Sequence, residues 1–170
     1  MYKTKLAKTL LTDTDSYAIL DAASNDAVYS KALFEHERFE VLFDEEELET
    51  VSPYLVKLEK DDEVTEWILK NYEGADWMSF VQSSKPYDEL LEILKEFTKM
   101  YDEEEQHDVY IRYWDPRALE VCLDIFGEEK TKWFESIDVM YARDTLEENV
   151  LLKFTPKGKE SMVLNEEAGV

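Results

Sequence analysis

The chain has 170 residues, 44% of them hydrophobic and 13% aromatic, which suits one folded domain with a full core. Its 41 acidic and 19 basic residues leave a net charge of −22. That charge disfavours nucleic-acid phosphates and anionic membranes as partners and permits a basic one. The single cysteine, Cys122, excludes an internal disulfide, and no apolar run reaches the about 18 residues of a membrane span. A soluble, cytoplasmic protein is therefore expected.

Residues 1–16 read as an opening helix with Leu6, Leu10 and Leu11 on one face. Tyr17–Asp21 is almost wholly apolar and is expected as an interior strand. Ser24 or Asn25 can cap a helix carrying Val28, Ala32 and Leu33, and Phe39–Phe43 looks extended. Leu48 and Val51 lead into Ser52-Pro53, after which Tyr54–Leu58 reads as a second interior strand. Asp61 or Asp62 caps a helix with Val64, Trp67, Ile68 and Tyr72 inward. Gly74 marks the turn into a third strand, Trp77–Gln82.

Pro86 opens the most regular helix, in which Leu90, Leu91, Leu94, Phe97 and Met100–Tyr101 recur every three or four residues. An acidic loop, Asp102–Asp108, then leads to Val109–Trp114, whose alternating β-branched and aromatic residues predict a central strand. Asp115 takes the N-cap position and Pro116 the first helical position, with Leu119, Cys122, Leu123 and Phe126 following at helical spacing. Gly127 closes that helix, and Glu128–Ser136 forms a short one with Trp133 and Phe134.

Val139–Ala142 and Val150–Phe154 flank a polar turn and read as a hairpin. The expected organisation is thus an α/β domain over 1–137, the hairpin over 138–155, and a polar, fraying tail over 156–170. Strands separated by helices imply right-handed crossovers. The fold class expected is α/β, with a mixed, largely parallel sheet covered by helices and a C-terminal antiparallel β-hairpin.

Signatures of catalysis are scarce, and the expectation is no enzyme, no cofactor and no metal. His36-Glu37-Arg38-Phe39-Glu40 begins like a zinc-protease helix but has glutamate where the second histidine must stand. His107 sits in the acidic loop. Four glycines, Gly74, Gly127, Gly158 and Gly169, cannot build a phosphate-cradling loop. Cys122 lies on an apolar helix face and reads as a small buried hydrophobe. The surplus is instead aromatic: four Trp and ten Tyr, residue types that serve interfaces as well as cores.

Arg112 and Arg117 flank the Asp115-Pro116 corner, and they are two of only four arginines in the chain. Either one or both pair with Asp115 or a neighbouring carboxylate and hold the corner rigid, or one is held out for a partner. Arg112-Tyr113-Trp114-Asp115-Pro116-Arg117 resembles the R-F/Y-Y/W-D-P-R signature of the effector chaperones, or adaptors, of bacterial type VI secretion systems. Two further blocks fit the same family in the same order, Tyr17-Ala18-Ile19-Leu20-Asp21-Ala22-Ala23 and Ser52-Pro53-Tyr54-Leu55-Val56-Lys57-Leu58.

The resemblance implies an adaptor, without a cofactor, that binds the N-terminal segment of a secreted effector and helps load it onto the secretion spike. That segment is expected to be apolar and helical. The resemblance also marks Pro53, Tyr54, Arg112, Trp114, Asp115, Pro116 and Arg117 as family-motif, partner-binding candidates. Many members carry a further C-terminal lobe, whereas 33 residues follow Ile137 here, and the spike contact is the expectation that depends on them. The alternative is an acidic inhibitor, an immunity protein or a DNA mimic, that blocks a basic protein by surface charge.

Overall fold

The computed structural model describes residues 2–164. Its strands are β1 (Asp15–Asp21), β2 (Glu40–Val41), β3 (Pro53–Lys57), β4 (Met78–Ser83), β5 (Lys99–Asp102), β6 (His107–Tyr110), β7 (Val139–Arg143), β8 (Val150–Thr155) and β9 (Gly158–Val163). Its helices are α1 (Tyr2–Leu10), α2 (Asp26–Phe34), α3 (Glu63–Lys70), α4 (Tyr87–Glu96), α5 (Leu119–Ile125) and α6 (Lys130–Ser136). Seven strands form one sheet in the order β2-β3-β1-β4-β7-β8-β9, and β5 and β6 pair separately.

Every neighbouring pair in the main sheet is antiparallel, which corrects the expected largely parallel sheet. Strands β3 and β4, which flank α3 in the chain, do run parallel to each other. However, β1 lies between them and runs against both, so no parallel ladder forms. The apolar strands misled for a related reason. Helices cover both faces of this sheet, so β1, β3 and β4 are buried on both sides and lose the alternation that marks a half-solvated antiparallel strand.

Two apolar layers result. Tyr17, Ile19, Leu55, Val81 and Met140 face α4, α5 and α6. Ala18, Leu20, Tyr54, Val56 and Phe80 face α1, α2 and α3. Trp133 centres the first layer at 0% exposure, with ring centroids of Tyr113, Phe97 and Phe126 at 4.8, 5.2 and 5.2 Å. Asn25 and Asp62 cap α2 and α3 by accepting from Ala27 N and Thr65 N. Arg38 in turn clamps Asp62 and donates to the Lys57 carbonyl at 2.9 Å.

Three further expectations change. Residues Val109–Trp114 are not a central strand: β6 ends at Tyr110 and pairs only with β5, outside the main sheet. Its alternation is real, but it lets the hairpin rest Met100 and Val109 on the first layer while Tyr101 and Tyr110 face solvent. Helix α4 stops at Glu96, so Met100 and Tyr101 belong to β5 rather than to the helix. Finally, β7 and β8 pair as a hairpin, and β9 adds another strand where a fraying tail was expected. Gly158 at φ 127° makes the β8–β9 turn, and Leu164 plugs into the second layer. Residues 165–170 of the expected tail lie outside the described residues.

Tyr113 is fully buried, and its hydroxyl donates to the Leu94 carbonyl in the last turn of α4 at 2.6 Å. Carbonyls there lack an intrahelical donor, so the phenol supplies one. Tyr113→Phe is expected to cost about 1–2 kcal/mol in a urea melt, because it leaves that acceptor buried and unpaired. An unchanged midpoint would show that another donor replaces it.

Candidate functional site, a braced corner

The three motif blocks lie far apart in sequence and meet at one place. Strand β1 ends at Asp21, opposite Pro53 in β3, and Ala22 N donates to the Ser52 carbonyl at 3.1 Å. Ser52 Oγ accepts from Phe43 N at 3.2 Å, and the Phe43 ring meets Trp114 edge-on at 5.7 Å. The first two blocks are thus stitched to each other and to the tip of the third.

Charge completes the corner. Asp21 and Asp115 are both almost fully buried, while the side chains of Arg112 and Arg117 are 45% and 53% exposed. Arg112 Nη2 donates to Asp21 Oδ2 at 2.7 Å, lies 3.3 Å from Ser24 Oγ, and sits 3.5 Å from Asp115 Oδ2. Arg117 grips Asp115 with two prongs, Nε to Oδ1 at 3.0 Å and Nη2 to Oδ2 at 2.9 Å, and its backbone N–H donates to Oδ1 at 2.9 Å. Asp21 also accepts from Ala23 N at 3.0 Å and Ser24 Oγ at 2.8 Å. Two buried anions are matched by two cations that keep one side in water.

Asp115 opens a turn rather than capping the helix. Its carbonyl accepts from Ala118 N and Leu119 N at 2.9 Å each, with Pro116 second in the turn, and α5 begins at Leu119. Burial alone would raise the Asp115 carboxyl. The hydrogen bonds from Arg117 and the charges of Arg117 and Arg112 outweigh it and hold the group below the usual carboxylate range. Arg117 is raised above its ordinary value, first by its bond to Asp115.

Of the residues the sequence nominates, Pro53, Tyr54, Trp114, Asp115 and Pro116 are buried, and only Arg112 and Arg117 reach solvent. All four arginines make an ion pair within the chain, with Arg38 on Asp62 and Arg143 on Asp76 (2.5 Å) completing the set. Sequence reading missed Asp21 as the anion that Arg112 serves. The available signal was a lone acid ending an otherwise apolar strand.

Elsewhere the chemistry is sparse. Burial, followed by the charge of Asp115, pushes the Cys122 thiol up to about 11, so it stays protonated at neutral pH. No group of three or more His, Cys, Asp and Glu could hold a metal ion among the described residues. His36 lines a shallow groove and His107 is exposed.

Asp115→Ala is expected to destabilise the fold by about 1–2 kcal/mol in denaturant melts, since it removes the acceptor of the Arg117 backbone N–H and opens the turn. Melts that overlay the wild type would remove the brace from this account. Acid should act in the same direction. Asp62 is pulled down to about 2, mainly by hydrogen bonds from Arg38, and Asp115 is lowered as well. The stability from both is complete above about pH 4 and is lost as pH falls through their folded values. Arg38→Met should remove the Asp62 share of that loss, on the order of 1 kcal/mol after solvent screening. Melts of the variant and the wild type with the same acid slope would refute the assignment.

Residues 16–132, more than half of the chain, match the family described as "Domain of unknown function (DUF4123)". No curated protein and no solved structure matches. The matched span holds all three motif blocks and the whole brace. The chain belongs to this DUF4123 family, known as the effector chaperone or adaptor domain of type VI secretion systems.

Proposed function

We propose that this chain is a cytoplasmic adaptor that binds the N-terminal segment of a secreted effector and helps load it onto the secretion spike. It works by surface recognition, with no catalytic step and no cofactor. The observation that carries the reading is the convergence of the three family blocks on one buried, ion-paired corner within the matched span. With the corner's aromatic and proline side chains buried, the brace serves as a frame, and contact with the effector falls to surfaces around it.

The surface of the chain carries apolar groups for such contact. Leu33, Phe34, Tyr101, Val121, Ile125 and Leu146 are all at least half exposed. An interface burying about 800 Å² on this chain would be of standard size, with a few aromatic or aliphatic anchors dominating its energy. The net charge of −22 favours a second reading, an acidic inhibitor that blocks a basic protein.

The test starts from the protein that co-purifies with the tagged chain from its native cytoplasm. Calorimetry should show binding to the N-terminal region of that protein expressed alone, and none to the protein lacking it. Equal affinity for the truncated protein would overturn the adaptor reading. Affinity that vanishes in high salt would favour the charge-based inhibitor, because screening removes surface electrostatics and leaves apolar contacts.

A further inference from the structure

The brace leaves one side of the main sheet open beside an apolar groove. Strand β2 is the last strand on that side and has only two residues. Leu42 N donates to the Pro53 carbonyl at 3.0 Å, and Leu42 and Pro53 continue the β2–β3 register of Glu40 with Leu55 and Val41 with Tyr54. Antiparallel ladders alternate, so Val41 is a non-bonded position toward β3, and its N–H and C=O point away from the sheet. Beside this peptide lies a groove of about 240 Å³, whose apolar lining includes Leu33, Phe39, Val41 and Tyr54. Leu33 is 60% exposed, and Phe34 next to it is 86% exposed.

Glu40, Glu49 and His36 also line the groove. Glu40 precedes Val41 in the strand and pairs with Leu55, so its side chain turns to the opposite face of β2. The nearby cations are turned elsewhere: Lys31 lies over the Trp67 ring at 5.4 Å, and Arg38 is held by Asp62. A ligand here therefore meets apolar walls, an outward peptide group and unneutralised carboxylates. Tyr54, from the second motif block, forms part of the lining, and its hydroxyl is tied to the Glu49 carbonyl at 2.7 Å. The groove is thus built on the same frame as the corner.

We infer that the α2–β2 groove is the docking site for an extended partner segment in which apolar residues alternate with Lys or Arg. The segment adds to β2 through the Val41 peptide, sets an apolar side chain against Leu33 and Tyr54, and turns the alternating cations to the opposite face, toward Glu40. This rests on the adaptor reading and replaces the helical ligand expected from the sequence. A helix satisfies its own backbone and has no use for an open strand edge.

The probe is a labelled eight-residue peptide of alternating Lys and Val, titrated by fluorescence polarisation into the full chain. Wild type should bind it, and affinity should fall a few-fold with added salt without vanishing. Val41→Pro removes the outward N–H but no β2–β3 bond, and Leu33→Lys replaces an apolar wall of the groove with a cation that repels the probe. Each should weaken binding by about tenfold or more with unchanged melts. Equal affinity in both variants, or tighter binding of the same residues reordered to one face of a helix, would overturn the inference. The effector's N-terminal region separates the two readings. If it binds wild type and both variants alike, the groove is wrong and the adaptor stands. If it fails to bind wild type, the adaptor reading falls, and the peptide titrations alone decide the groove.

Discussion

Two carboxylates, Asp21 and Asp115, are buried where three distant stretches of chain meet, and the fold depends on their being neutralised there. A buried carboxylate without a partner costs several kcal/mol, so neither could sit at this corner alone. Arg117 answers Asp115 with a two-pronged contact, and Arg112 reaches both acids from between them. Because both guanidinium groups stay half in water, their own desolvation is small and the balance favours the pairing. A lysine could supply charge but not the planar fork that fixes direction.

That brace lets one sheet be covered on both faces. Strand β1 runs between β3 and β4, and its end is pinned by Arg112 to the turn that launches α5. Helices α1 to α3 therefore lie on one side, and α4 to α6 on the other, around two separate apolar layers. The two open sides of the sheet are managed differently. Strand β9 is largely exposed and carries Lys159 and Glu160, charges that discourage strand addition. Strand β2 is short but is flanked by apolar side chains, which is why it is the more receptive of the two.

The net charge of −22 shapes what can be received. A surface with this excess of acids repels anionic partners at long range and draws cationic ones. All four arginines are held by carboxylates of the same chain. Specific recognition then has to come from shape and apolar contact, with charge setting the approach and the register.

The sequence by itself determined the local elements and the family. The apolar run Tyr17–Asp21, a cap at Asp61 or Asp62 and the periodicity of Leu90, Leu94 and Phe97 all report interactions within a few residues, and they are legible without a fold. The Arg112–Arg117 block was legible as a family signature, but its local pattern suggested a strand end and a helix cap where the chain makes a turn. Only the tertiary structure decided strand direction, since a strand buried on both faces reads the same in parallel and antiparallel sheets. It also decided that Val109–Tyr110 rests on the core from a side hairpin, because alternation records that one face is buried and not which sheet buries it. The partner of Arg112 lies 91 residues away at Asp21, and the groove beside Val41 exists only once α2 and β3 are packed together. Long-range pairing of this kind leaves no periodic trace in a single chain.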